Sequence, residues 1–366
     1  VFVDKHSSVT NNPKITPSVT LNSKESIWIE MESYSNKRVN DLIYESIFEN
    51  MEANEKIVFM GEDVEYPYGG AFKVSRDLSK TFADRVYNMP DSEQGIVGFG
   101  NGMSLGGKTP ICEIMFGDFM GLVFDQWLNH AAKFKKMYGN KFNVPMIVRT
   151  PMGGRRGYGP THSQNIEKHF IGIPNTQVLV INPRHAPKEI YKKILKSIDK
   201  PTLIIENKLD YTRKDTPLSS KSNYKYHKNN SAIYDLKYSI PHKDVDITVV
   251  CWGGLVCDTE NVINNITEVD EIVVEMIVPT MIYPLNINSI TESIKKTKKL
   301  LVIEDDNAFS SLGSEIIAQL SLLDLEFQSI KLNTLDDIIP SSKLLEEKHY
   351  VSNEDIYDAM KELFLS

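Results

Sequence analysis

Three side chains stand where they could do chemistry. Glu93 lies in MPDSEQGIVGFGNGMSLGG, where Pro90 followed by Asp91 or Ser92 marks a helix start and sets the carboxylate in the first helical turn. Spacing alone accounts for it as a carboxylate stabilised by the helix N-terminus. Gly95, Gly98, Gly100 and Gly102 then follow along the same helix, each disfavoured by about 1 kcal/mol relative to Ala. Close approach of another element is the usual compensation. Phe119, in GDF behind the strand-like TPICEIMF, reads by itself as a core ring at a strand end. His162, in PTHSQ, comes after the glycine-rich GGRRGYG of Gly153 to Gly159. A loop histidine is usually inert, but one held at an interface is suited to proton transfer. Asp91, Ser92 and Gln94 are near enough to Glu93 in sequence to touch the same ligand. The chain has no GxxxxGK[ST] loop, no HExxH, no GxSxG elbow and no GxGxxG after a first strand.

Alternating strands and helices must position these groups. VNDLIYESIFENMEAN repeats its apolar residues every three or four positions, as an amphipathic helix does. KIVFMGED, RVYNMP, TPICEIMF, NVPMIVRTP, QVLVINP and PTLIIEN read as strands. DFMGLVFDQWLNHAAKFKKM reads as one long helix and PKEIYKKILKSI as another. Strands that are apolar throughout and alternate with helices predict a mainly parallel sheet covered on both faces. A polar, irregular stretch at 212–243 predicts an interdomain connector. A second alternating set follows at 244–366, from DITVVCWGG to a C-terminal helix in NEDIYDAMKELFL. The expected fold class is α/β, with two doubly wound domains, 37–211 and 244–366. Residues 1–36, rich in Ser, Thr, Asn and Lys, are expected to be a poorly ordered extension or linker.

With 366 residues and 41% apolar content the chain can bury two cores. Its net charge of -8 argues against a general nucleic-acid binder, which needs excess Lys and Arg to neutralise phosphates. No run of about 18 apolar residues exists to span a membrane. Cys112, Cys251 and Cys257 lack zinc-site spacing and are an odd count, which fits reduced thiols in a cytosol-like compartment. The expected location is cytoplasmic, or an organelle matrix if the extension is the remnant of a targeting segment. Val1 is compatible with processing, trimming or a cut from a longer polypeptide.

Five segments in register carry a resemblance: MGEDVEYPYGGAFKVSRDL, DSEQGIVGFGNGMSLGGKTPICEIMFGDF, DQWLNHAAK, VPMIVRTPMGG and YGPTHSQ. Together the chain resembles the beta subunits of thiamine-diphosphate-dependent 2-oxo-acid dehydrogenases, from about Val39 to the C-terminus and less closely after Tyr211. The resemblance implies a transketolase-like pyrimidine-binding domain followed by a transketolase C-terminal-like domain. It implies that Glu93 hydrogen-bonds the ring nitrogen of the cofactor's aminopyrimidine, favouring the protonated ring, and that Phe119 stacks on that ring. Ser92 and Gln94 are further cofactor candidates. His162 is implied to line the catalytic cavity and to assist acyl transfer to a lipoyl group, with Ser163 and Gln164 orienting its loop.

The same resemblance points to a partner. Relatives hold the diphosphate and its magnesium through a GDG…N motif on the alpha subunit, and no GDG occurs here. An alpha2–beta2 heterotetramer with shared active sites, a lipoylated dihydrolipoyl acyltransferase and a 2-oxo-acid substrate are the implied associates. The loop KSIDKPT is shorter than the family loop that often binds potassium, which leaves Met146, Ser197 and Asp199 as the candidate ligands. Tyr283 stands in VPTMIYPL where many relatives carry Arg. DSEQGIVGFG leans towards branched-chain relatives and VPMIVRTP towards pyruvate and acetoin types. Two other readings remain open: a diverged biosynthetic subunit that delivers the activated aldehyde to another acceptor, and a non-enzymatic assembly or regulatory subunit.

Overall fold

The computed structural model describes residues 26–31, 34–217 and 222–366. Two seven-stranded sheets organise the chain. The strands are β1 (Trp28–Glu30), β2 (Ile57–Gly61), β3 (Val86–Asn88), β4 (Thr109–Glu113), β5 (Ile147–Met152), β6 (Gln177–Val180), β7 (Thr202–Asn207), β8 (Lys225–Asn229), β9 (Leu236–Ser239), β10 (Ile247–Cys251), β11 (Val274–Val278), β12 (Met281–Tyr283), β13 (Lys299–Ile303) and β14 (Gln328–Leu332). The first sheet runs β12-β6-β7-β5-β4-β2-β3 and is parallel except at its β12 edge. β2, β5 and β7 are buried along their whole length, as a sheet covered on both faces requires. The second runs β1-β8-β9-β11-β10-β13-β14, with β11, β10, β13 and β14 parallel.

Strand order locates a crevice. After β2 the chain moves outward to β3, whereas after β4 it moves the other way to β5. The connections therefore diverge between the carboxyl ends of β2 and β4, the place where open α/β sheets bind ligands. The Glu93–Leu105 helix links β3 back to β4 and brings its N-terminus to this edge. Of its glycines Gly100 meets the expected need, since a Cβ there would lie 2.5 Å from the Cys112 Sγ and 3.0 Å from the Met146 Sδ; Gly98 makes only an ordinary contact at 3.7 Å and Gly102 has nothing within 4 Å.

Three sequence expectations change. The 212–243 stretch is no irregular connector, because β8 and β9 form an antiparallel hairpin there and extend the second sheet. Polar residues at exposed and half-buried positions, and a buried Asn229, hid the alternation. Part of 1–36 is ordered too: β1 pairs antiparallel with β8, and the rest of that expectation, residues 1–25 and 32–33, lies outside the described residues. DFMGLVFDQWLNHAAKFKKM is not one α-helix but a 3-10 segment Gly117–Val123, a π-helical turn Gln126–Ala131 and an α-helix Ala132–Met137. At the π turn Asn101 Nδ2 donates to the Gln126 carbonyl at 3.0 Å, taking an acceptor the α ladder would use.

The halves are packed into one body. Each of two apolar clusters draws residues from both sheets, and β12, from the C-terminal half of the chain, completes the first sheet. His185 stitches the same seam. Its Nδ1 accepts from the Asn182 N–H at 3.1 Å, so Nε2 carries the proton and donates to Thr280 Oγ1 at 2.7 Å. Burial pushes its pKa down to about 3, keeping it neutral. Beneath the crevice, buried Arg149 on β5 pairs with Glu113 on β4 and with Glu206 on β7, its Nε lying 3.2 Å from Glu206 Oε1. Tyr191 and Tyr211 donate to Glu206 as well.

Two expectations follow. Arg149→Ala leaves two buried carboxylates without their cation, so denaturant unfolding should show a loss of about 3–5 kcal/mol. Glu167 accepts from Trp252 Nε1 at 3.2 Å, and burial, aided by Asp306, raises its pKa to about 8. The folded chain keeps this proton whereas an unfolded Glu sheds it near about pH 4.3, so folding loses stability as pH climbs from there to about 8. Glu167→Gln carries no such charge and still accepts from Trp252. Its urea midpoint should overtake that of the native protein as pH rises through this range.

Candidate functional site

The carboxyl edge of the first sheet collects the predicted residues in two groups. The first is acidic. Ser92 caps the Glu93–Leu105 helix, its hydroxyl accepting from the Gly95 N–H at 3.2 Å. Glu93 follows as the first helical residue and is half-buried, and among the described residues no hydrogen bond occupies its carboxylate. Glu62, directly after β2, joins it. Burial raises the Glu62 carboxyl to about 7, and the charges of Glu93, Asp91 and Asp63 add to the shift. Glu62 Oε1 is buried without a partner. Sequence reasoning passed over Glu62; the available signal was its position at the end of an apolar run, where a parallel strand opens onto the ligand edge.

The second group is aromatic. The half-buried His162 ring sits against Phe116 at 4.7 Å and Phe119 at 5.2 Å, edge to face with both. Phe116 also meets Phe72 at 5.6 Å and Tyr158 at 6.0 Å. His162 Nδ1 is 3.0 Å from Thr161 Oγ1, which leaves Nε2 as the nitrogen open to a ligand. The fully buried Lys208 donates to the His162 carbonyl, and burial lowers its pKa to about 8. Asp118 accepts from both Gln164 N at 3.2 Å and Gln164 Nε2 at 2.8 Å. Phe116, Asp118 and Lys208 were not foreseen as contributors, since none belongs to a spacing pattern and only the fold brings them to His162.

Other candidates part company with these groups. Gln94 is exposed and lines a groove along another face of its helix, with Gly98, Gly102, His130 and Phe134. Met146 is fully buried and its carbonyl accepts from the Thr202 N–H at 2.9 Å. The Ser197 hydroxyl donates to Lys193 O within its own helix at 2.9 Å, and Asp199 is exposed. Among the described residues no group of three or more His, Cys, Asp or Glu could hold a metal ion. Among them, too, no helix is long and apolar enough to cross a membrane.

Comparison with known proteins identifies the family. The family described as "Transketolase, pyrimidine binding domain" matches residues 37–214, and "Transketolase, C-terminal domain" matches 237–356. The chain is 30% identical over 311 residues to the mitochondrial 2-oxoisovalerate dehydrogenase subunit beta of Dictyostelium discoideum, covering 82% of this chain and 79% of that one. It is 28% identical over 328 residues to the pyruvate dehydrogenase E1 component subunit beta of Gracilaria tenuistipitata var. liui, covering 88% and 98%. The chain belongs to the E1 beta-subunit family of the 2-oxo-acid dehydrogenases. A solved split-gene transketolase, described as an inactive beta4 tetramer, shares the fold at TM-score 0.69 and 20% identity, over 89% of this chain and 98% of that one.

Family membership makes thiamine diphosphate the relevant group, and the E1 beta-type edge fits one half of it. A free carboxylate, a neighbouring buried oxygen without a partner and the Phe116–Phe119 rings suit a flat, basic, protonatable ring. The cluster of Glu62, Asp63, Asp91 and Glu93 would repel the anionic diphosphate. Removing the Glu93 charge should let the Glu62 pKa fall from about 7 towards the ordinary carboxylate range. A carbon-13 NMR titration of the Glu93→Gln protein against the native one reads that shift directly.

Proposed function

We propose that the chain is the catalytic beta subunit of a heterotetrameric 2-oxo-acid dehydrogenase, which decarboxylates a 2-oxo acid with thiamine diphosphate and passes the acyl group to a lipoyl domain. The observation that carries this reading is the unoccupied Glu93 carboxylate at the switch-point edge, with Glu62 beside it. When bound, thiamine diphosphate supplies the carbanion chemistry, and the protein supplies position and electrostatics. Glu93 would face the aminopyrimidine ring nitrogen and favour its protonated form, and Glu62 deepens the local negative potential that a protonated ring relieves. Phe119 would offer its ring to the pyrimidine. His162, oriented by Thr161 and Lys208, would present Nε2 to the acyl acceptor and move a proton there.

An alpha subunit follows from what this chain lacks. The acidic corner of Glu62, Asp63, Asp91 and Glu93 offers no cation to two phosphates, so another polypeptide would grip them together with their magnesium. The surface beside the same helix supports a protein partner: Phe99, Met137, Tyr138 and Phe142 are exposed, and the rings of His130, Phe134, Tyr138 and Phe142 meet in succession at 5.6, 5.8 and 6.0 Å, stacked, tilted and edge to face, next to the glycine groove. Potassium has no further support from Met146, Ser197 and Asp199.

Co-expressed with an alpha partner, the pair should decarboxylate a panel of 2-oxo acids with an artificial electron acceptor. Glu93→Gln should abolish that activity. His162→Ala should spare it and stop reductive acylation of a lipoyl domain; a loss of both together would favour delivery to another acceptor or a general structural role. Thiamine-dependent turnover by the purified chain alone would overturn the half-site reading.

A further inference from the structure

The loop that carries His162 is held from the other half of the molecule. Gly153 to Gly159 runs over the carboxyl end of β5 with positive φ at Gly153, Arg155, Gly157 and Gly159, a path that short-range preferences alone do not maintain. Glu346, fully buried in the C-terminal half, receives two of its backbone amides: Arg155 N–H at 2.8 Å on Oε1 and Gly157 N–H at 2.7 Å on Oε2. The Tyr350 hydroxyl, four residues on, donates to the Ser163 carbonyl at 3.1 Å. Its oxygen fills the space beside Gly154, where an added Cβ would stand 1.8 Å from it.

The same strap ties the loop's one left-handed arginine. The Arg155 guanidinium grips Asp305 at 2.6 and 2.9 Å, donates to the Val351 carbonyl at 3.2 Å and lies 4.4 Å from the centre of the Tyr350 ring. Asn165 Nδ2 adds a bond to the Asp305 carbonyl at 2.9 Å. His162 thus stands between anchors from both halves. Lys208 and Asp118 hold its loop from the first sheet, and Tyr350, Glu346 and Asp305 hold it from the C-terminal half.

We propose that Glu346 and Tyr350 are positioning residues for the acyl-transfer step, fixing the His162 imidazole by clamping the Gly153–Gly159 loop across the domain boundary. The inference rests on the reading that His162 serves acyl transfer, and it goes further by making that step, and not decarboxylation, depend on how the two halves are seated. Among the described residues, the side-chain hydrogen bonds that Tyr350→Phe and Glu346→Gln alter are one hydroxyl-to-carbonyl bond and one carboxylate receiving two amides; Glu346→Gln also removes a charge that acts on Lys208 and His349. Phe keeps the ring under Arg155, and Gln keeps one acceptor oxygen.

The test uses the co-expressed alpha–beta pair. In Tyr350→Phe and Glu346→Gln, reductive acylation of a lipoyl domain should fall about three- to tenfold, the range expected for one lost hydrogen bond. Decarboxylation into an artificial acceptor should stay unchanged, and the thermal midpoint should fall by no more than a few degrees. Hydrogen exchange at the Arg155 and Gly157 amides should quicken in Glu346→Gln. The proposal is overturned if both half-reactions fall together with the thermal midpoint, or if neither moves and the two amides stay protected. Should the native pair show no thiamine-dependent activity, the parent reading fails on that result, and the exchange measurement still decides the clamp.

Discussion

Arg149 sits where three parallel strands would otherwise bury carboxylates beside one another. Glu113 and Glu206 point into the first sheet's interior from β4 and β7, and the guanidinium between them lies almost wholly out of water. Burial raises the Glu113 carboxyl and Arg149 pulls it back. Two negative groups share one cation, with Tyr191 and Tyr211 supplying further donors to Glu206. A buried network of this kind contributes little net stability against a well-packed apolar alternative, but it tolerates only one register of its strands. That register is what the site needs. Phe116 leaves β4 just beyond Glu113, the glycine-rich loop leaves β5 just beyond Arg149, and Lys208 leaves β7 just beyond Glu206.

The constraint reaches the loop after β2 as well. Gly70 has positive φ and lies against Glu113, whose Oε1 would be 2.9 Å from an added Cβ. Phe72 from the same loop packs on Tyr211 at 5.3 Å and on Phe116 at 5.6 Å. The ion network, the aromatic group and the acidic corner are therefore neighbours in one layer. A partner that completes the site would meet an edge already rigid on this side, so the ordering on binding would fall mainly on the cofactor and the partner.

Much of this was legible from residue order. The apolar run ending in Gly61 and the segment TPICEIMF read as strands from their short apolar stretches, and the helix at Glu93 is announced by its proline and serine. Other elements were not. The β8–β9 hairpin is written in Lys, Asn and Tyr although both of its edges are paired, and its alternation is lost among polar residues. The π turn at Gln126–Ala131 follows from a neighbour's side chain taking a carbonyl, an event that no local pattern encodes.

By itself the sequence determined the α/β class, the helix start at Glu93 and the glycines along that helix, because each is set by periodicity, capping or a short spacing that acts over a few residues, whereas Phe119 and His162 were singled out only by the family resemblance. Tertiary structure alone decided that Glu62 joins Glu93, that Lys208 and Asp118 hold the His162 loop from below, and that Glu346 and Tyr350 hold it from across the domain boundary. Those pairings span separations in sequence as long as 191 residues. Nothing local selects the partner of a buried carboxylate or carbonyl at such a distance; the packing of the two sheets does.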